Sequence, residues 1–101
     1  MGTLVEERPV ATACAESLKA LGHPVRLRIV AALCEQSETV IALSQTLAVP
    51  QAIVSQQLRI LRGAGLVAAE RVNGFARYSI TKPQLRKLVS CIESCHKGGR
   101  T

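Results

Sequence analysis

Four cysteines carry the most specific chemistry in this 101-residue chain. Cys91 and Cys95 are four residues apart, so on a helix their thiols point the same way from neighbouring turns. Two or three converging thiolates are the ligands that thiophilic ions such as As(III), Cd(II) and Hg(II) prefer. His96 adds a nitrogen nearby, although one position further around the helix. The spacing therefore favours a metal or metalloid site at Cys91 and Cys95.

The other two cysteines, Cys14 and Cys34, lie on apolar stripes of predicted helices. A free cysteine in such a place is usually a buried packing residue. Residues 1–7 are acidic and lack the basic start and apolar centre of a signal peptide, and no apolar run is long enough for a membrane span. We therefore expect a cytoplasmic protein without a membrane partner, whose cysteines are packing residues or reactive thiols rather than permanent disulfides.

A second group of polar residues lies on the helix that Pro50 opens. Val54, Leu58 and Leu61 recur at i, i+4 and i+7 and must face a core. The opposite face carries amides, a hydroxyl and guanidiniums but no carboxylate: Gln51, Ala52, Ser55, Gln56, Arg59 and Arg62. A short helix and a three-residue turn precede this helix. Together they predict a helix–turn–helix, a unit that places its second helix in the major groove of DNA.

The segment that follows predicts a β-hairpin. Residues 73–74 are Asn-Gly, which suits the two positive φ angles of a tight turn, between strands at residues 66–71 and 75–80. Arg71 and Arg77 flank the tip of this hairpin. At that position their guanidiniums are expected to contact phosphate or the minor groove.

The remaining elements are predicted to be helices. The first covers residues 11–21, and the second begins at Pro24 and has Arg26 and Arg28 on its outer side. The third is capped by Ser37 or Thr39. The last covers residues 83–96 and follows a capping box that begins at Thr81. Residues 1–9 are expected to form a loose arm and residues 97–101 a frayed tail. The last helix has no place in so small a core, so we expect it to form a dimer surface with the first helix. The predicted fold is mainly α: one domain over residues 1–101, with five helices and a hairpin wing.

Composition narrows the expected partner to double-stranded DNA. Lys and Arg number 13 against 7 Asp and Glu, a net charge of +6 that suits a phosphate backbone. Phe75 and Tyr78 are the only aromatic residues, too few to stack a row of single-stranded bases, so no RNA partner is expected. The motifs of phosphate loops, zinc proteases and Cys-x-x-Cys oxidoreductases are absent. We expect neither an enzyme nor an obligatory cofactor. A thiol oxidoreductase and a pure dimerisation module are the rival hypotheses.

Three strings, in this order and spacing, resemble the ArsR/SmtB family of winged-helix repressors. They are LGHPVRLRIV at residues 21–30, VSQQLRILRGAGLV at residues 54–67 and RYSI at residues 77–80. The resemblance implies a DNA-binding repressor whose base-reading positions are Gln51, Ala52, Ser55 and Gln56. The family usually has serine at the positions of Pro50 and Ala52, which leaves the operator sequence open. One winged helix covers too little duplex for tight binding, so we expect a twofold dimer on an inverted repeat.

The resemblance also implies an inducer site. Because the first and last helices of this family pack together at the dimer interface, Cys14 is a candidate third thiolate for Cys91 and Cys95. A second branch of the family senses persulfide or oxidants through one thiol on the second helix and one on the last. That branch makes Cys34 with Cys91 or Cys95 the alternative pair, although Cys34 lies about one turn beyond the usual position. The cysteines of the arsenic-type motif on the third helix are absent.

Overall fold

The computed structural model describes residues 2–98 as six helices and a two-stranded antiparallel sheet. In chain order the elements are α1 (Thr3–Glu6), α2 (Arg8–Leu21), α3 (Pro24–Glu35), α4 (Val40–Leu47), α5 (Gln51–Gly63), β1 (Val67–Val72), β2 (Phe75–Ile80) and α6 (Gln84–Gly98). The predicted fold class, mainly α with a β-hairpin wing, is confirmed. Within residues 2–98, no helix is long and apolar enough to cross a membrane.

The two ends of the chain differ from the prediction. The segment expected to be a loose arm forms the short helix α1 and the first turn of α2. Pro9 lies in that first turn, where its missing N–H leaves no bond unmade, so α2 begins three residues earlier than predicted. At the other end α6 includes Lys97 and Gly98 of the predicted tail. Residues 99–101 lie outside the described residues.

Helix α3 is the centre of the core. It packs against α2, α4, α5, α6 and strand β2. Its residues Ile29, Val30 and Leu33 are buried and join Leu43 of α4 and Leu58 of α5 in one apolar cluster. Because the helix–turn–helix and the wing both rest on α3, a displacement of this helix moves both.

Local hydrogen bonds define where the helices begin. His23 accepts a backbone N–H of the first turn of α3 on its Nδ1 at 3.1 Å, with Pro24 at the first helical position. Of the two predicted caps of α4, Ser37 and Thr39, it is Thr39 that caps the helix in the same way, through its hydroxyl at 3.2 Å. Thr81, expected to cap the last helix, instead donates its hydroxyl to the Gly65 carbonyl at 2.7 Å. That bond joins the end of the wing to the end of α5.

The wing is anchored at its base and along one edge. Its strands pair from Val67 opposite Ile80 out to the turn at residues 73–74, whose φ angles of 51° and 83° are positive as predicted. The free edge of β2 pairs with the loop between α3 and α4. Tyr78 N donates to the Glu38 carbonyl at 2.8 Å and Glu38 N donates to the Tyr78 carbonyl at 3.0 Å. The end of α3 and the wing are therefore joined by backbone hydrogen bonds.

Candidate nucleic-acid interface

The turn between α4 and α5 is held by side chains. Ala48 adopts the left-handed conformation with a φ of 55°, which costs a residue with a Cβ roughly 1–2 kcal/mol. Ser44 Oγ donates to the Val49 carbonyl at 2.6 Å, and Arg28 Nη2 donates to the Leu47 carbonyl at 2.8 Å. The bond from Arg28 satisfies a carbonyl that the end of α4 leaves free, and the bond from Ser44 holds the turn that follows. They fix the angle at which α5 leaves α4. Arg28 is on the outside, as predicted, and also supports this turn.

Helix α5 divides into a buried and an outer face, as its pattern indicates. Val54, Leu58 and Leu61 are each 1% exposed or less. The six residues of α5 that were predicted to face DNA are all exposed: Gln51, Ala52, Ser55, Gln56, Arg59 and Arg62. The N-cap, Pro50, makes no side-chain cap, so the first backbone amides of α5 also remain available at this end. The outer face therefore offers hydrogen-bond donors, acceptors and two cations without an acid.

Gln57 supports α5 from its buried side, and the sequence pattern did not single this residue out. Its side chain is buried, and its Oε1 accepts a hydrogen bond from Arg26 Nη1 at 3.1 Å. Arg26 Nε also donates to the Ala20 carbonyl at 2.6 Å. The prediction that Arg26 lies outside is wrong, because its guanidinium satisfies a buried amide oxygen and a helix-end carbonyl. A signal existed: Gln57 follows Val54 by three residues on the apolar side of α5.

The two wing arginines have different surroundings. Arg77 is half-buried, and it donates from Nε to Ser37 Oγ at 3.0 Å and from Nη2 to the Ser37 carbonyl at 2.9 Å. Two of the five N–H donors of its guanidinium are therefore engaged within the protein, and the phosphate contact stays a prediction. Arg71 is exposed and donates to the Gly74 carbonyl at 2.6 Å. Together with Arg62 it lines the groove between α5 and the wing, which places it beside the predicted DNA surface.

Three of the four cysteines, Cys14, Cys91 and Cys95, are exposed, and Cys34 is half-buried. Cys91 and Cys95 share one side of α6, as their spacing predicts. In the described part of the chain, no group of three or more His, Cys, Asp or Glu side chains is placed to hold a metal ion. A three-thiolate site that includes Cys14 therefore requires a second chain.

Cys34 lies near the side of α6 that carries Arg86 and Glu93. Arg86 Nε donates to the Cys34 carbonyl at 2.9 Å. Burial raises the pKa of the Cys34 thiol; the charge of Arg86 lowers it, and two carboxylates, Glu93 among them, raise it. Glu93 is two residues from both Cys91 and Cys95, which places each about 160° around the helix axis from it. The pairing of Cys34 with Cys91 or Cys95 stays a prediction.

The helix–turn–helix, the acid-free outer face of α5 and the anchored wing define a winged-helix protein of the class that binds double-stranded DNA. A model of bacterial regulatory proteins of the arsR family matches residues 23–69. The chain is 38% identical over 87 residues to the HTH-type transcriptional regulator Rv0081 of Mycobacterium tuberculosis. The aligned region covers 85% of this chain and 76% of that relative. It is 40% identical over 82 residues to the repressor SmtB of the same organism, covering 81% of this chain and 61% of that one.

A solved structure agrees with these relatives. The transcriptional repressor BigR from Xylella fastidiosa matches with a TM-score of 0.83 and 33% identity, over 93% of this chain and 96% of that one. The chain belongs to the ArsR family. It is a DNA-binding transcriptional repressor of the ArsR/SmtB type, and the relatives are regulators rather than enzymes.

Proposed function

We propose that this repressor acts as a cytoplasmic homodimer on an inverted-repeat operator and leaves the DNA when Cys91 and Cys95 bind a thiophilic metal or metalloid, As(III) first among them. The observation that carries this proposal is the pair of exposed thiols one turn apart on α6, a helix outside the DNA-facing surface. Their spacing suits chelation of a thiophilic ion.

Base recognition is assigned to the N-terminal half of α5. Gln51 and Gln56 can each donate to and accept from adenine in the major groove, and Ser55 can bond to either base type. Ala52, which has no polar group, is suited to contact with a thymine methyl. These four exposed side chains give the sequence preference of the complex.

Phosphate contacts are assigned to three exposed arginines. Arg59 and Arg62 follow the base-reading residues along α5, and Arg71 stands across the groove on the wing. Cations in these places fix the register of a protein on the duplex without specifying sequence. We assign Arg77 to the support of the wing instead, because two of its N–H donors go to Ser37.

The dimer surface is assigned to the first and last of the predicted helices, α2 and α6, and the exposed apolar side chains of α1 and α2 extend it. Leu4, Val5 and Leu18 are 57%, 71% and 55% exposed, which is costly for aliphatic side chains unless a partner covers them. Cys14 lies one turn from Leu18 and is exposed as well. A twofold axis at this surface places Cys14 of one chain near the partner, where it can complete a thiolate site that one chain lacks. It also doubles the DNA contacts and requires an inverted repeat.

The test measures release from DNA by candidate inducers. A duplex is first selected from a randomised pool by the wild-type protein, and binding is followed by fluorescence anisotropy. As(III), Cd(II), Zn(II), a persulfide and peroxide are then added to the wild type, to the double variant Cys91→Ser/Cys95→Ser and to Cys34→Ser. We expect As(III) to weaken wild-type binding about a hundredfold, within the usual range of allosteric coupling. The double variant should not respond, and Cys34→Ser should respond like the wild type.

Each outcome decides between hypotheses. An unchanged As(III) response in the double variant removes the assignment to α6. Release by persulfide or peroxide, lost in Cys34→Ser, supports the reactive-sulfur alternative. A wild-type protein that selects no duplex contradicts the DNA-binding surface itself.

A further inference from the structure

The tip of the wing carries an exposed apolar pair. Val72 and Phe75 face each other across the turn, and they are 39% and 62% exposed. Phe75 is the only phenylalanine of the chain. The aromatic ring therefore stands in solvent at the end of an arm rather than in the core, which calls for a partner that covers it.

The tip lies beyond the groove between α5 and the wing. Arg71 lines that groove together with Arg62 and Glu70. Val72 follows Arg71, and because side chains alternate along a strand, Val72 and Phe75 point to the face of the hairpin opposite Arg71. From Val67, which is buried at the base, the strand extends about 17 Å to Val72 at roughly 3.3 Å per residue. That reach exceeds the width of the major groove, about 12 Å. With α5 in the major groove, an arm of this length is long enough to carry the tip past the phosphates to the adjoining minor groove.

The size of the apolar pair favours DNA over a protein as its partner. A stable protein interface buries about 800 Å² on each side, far more than two side chains supply. A wedge between base pairs needs only one or two apolar side chains, as minor-groove proteins with inserted Phe or Leu residues show. Glu70 lies on the same face nearer the base of the wing, opposite Arg77. Its carboxylate disfavours close approach of phosphate to that part of the wing.

We propose that Phe75, supported by Val72, enters the minor groove as an apolar wedge and partly unstacks one base step beside each half-site. Pyrimidine–purine steps unstack most readily, so the wedge adds a sequence preference at positions that α5 does not touch. This inference rests on the proposed DNA complex and adds a second element of its specificity.

The experiment compares Phe75→Ser with Phe75→Leu, and Ser79→Ala serves as the control because Ser79 is exposed on the same face of β2 away from the tip. The probe is the duplex that the wild type selects, with 2-aminopurine, whose fluorescence rises on unstacking, placed in turn at each flanking position. We expect wild-type protein to raise the fluorescence at one step per half-site. Phe75→Ser should abolish this rise and bind about tenfold more weakly, as expected for losing one base–aromatic contact. Phe75→Leu and Ser79→Ala should retain most of the fluorescence rise and most of the binding affinity.

Repeating the selection with Phe75→Ser separates the wedge from the rest of the interface. The half-site should remain the same, and the enrichment of a pyrimidine–purine step in the flank should disappear. Equal affinity, equal flanks and no fluorescence change in the wild-type complex overturn the wedge while leaving the proposed function intact. If the wild type selects no duplex, both proposals fail together.

Discussion

Replacing Arg77 with alanine distinguishes a phosphate contact from a support of the wing. The guanidinium makes two hydrogen bonds to Ser37 at 3.0 and 2.9 Å, and it is half-buried on the wing. Hydrogen bonds from charged donors contribute about 1.5–3 kcal/mol each when fully formed, and partial exposure reduces that contribution. We expect Arg77→Ala to lower the free energy of unfolding by about 2 kcal/mol in total. For a domain of this size, that loss corresponds to a fall in Tm of roughly 8–16 °C.

The salt dependence of DNA binding provides the second measurement. Each phosphate contact contributes about −0.9 to the slope of log K against log salt concentration, so a dimer contributes twice that per residue type. Arg62→Ala is the matched control, because Arg62 is exposed on the predicted DNA face. We expect it to reduce the magnitude of the slope by about 1.8 with little change in Tm. Arg77→Ala should leave the slope unchanged, because its guanidinium is bonded to Ser37.

The assay combines thermal melting followed by circular dichroism with anisotropy titrations from about 50 to 200 mM salt. Ser37→Ala removes the hydroxyl acceptor and keeps the carbonyl, so it should cost about half as much stability as Arg77→Ala. The effects of Ser37→Ala and Arg77→Ala should not add in the double variant. If Arg77→Ala lowers the salt slope as Arg62→Ala does and leaves Tm unchanged, the assignment of Arg77 to the wing support is refuted.

Two further predictions concern single residues of α5 and α3. Gln56→Ala should weaken binding to the selected duplex by about 1–3 kcal/mol and leave binding to a scrambled duplex nearly unchanged; equal losses on both contradict base reading. Cys34 should react with iodoacetamide more slowly than Cys91, because it is half-buried and burial raises the pKa of its thiol. Raising the pH should speed the reaction of Cys34, and Glu93→Gln should speed it too by lowering the pKa of the thiol. Mass spectrometry of timed samples measures the labelling of both cysteines. Labelling of Cys34 that is faster than that of Cys91 at neutral pH contradicts this assignment.

Much of the fold follows from interactions that act within a few residues. Pro24 and Thr39 mark the starts of α3 and α4, and residues 73–74 mark the turn of the wing, because caps and tight turns depend on local backbone chemistry. The outer face of α5 was predictable as well, since Val54 and Leu58 define its buried side. These features depend little on the rest of the chain.

Long-range partners of arginine could not be predicted in this way. Arg26 bonds to Gln57 across 31 residues, and Arg77 bonds to Ser37 across 40 residues. A hydrophobic pattern shows where apolar side chains are buried, but not which cation will satisfy a polar group beside them. The placement of Cys34 against one flank of α6 depends likewise on how α3 and α6 pack, which spacing along the chain does not determine.

The same contacts offer a route from α6 to the DNA-binding surface. Arg86 holds α6 to the end of α3 through the Cys34 carbonyl, and the next residues of that loop bond to the wing through Ser37 with Arg77 and Glu38 with Tyr78. A hundredfold change in DNA affinity requires a coupling of about 2.7 kcal/mol. Hydrogen bonds from charged donors contribute about 1.5–3 kcal/mol each, so distorting one or two of them is sufficient. Because coupling is reciprocal, the proposed mechanism predicts that DNA weakens metal binding at α6 by the same factor that the metal weakens DNA binding.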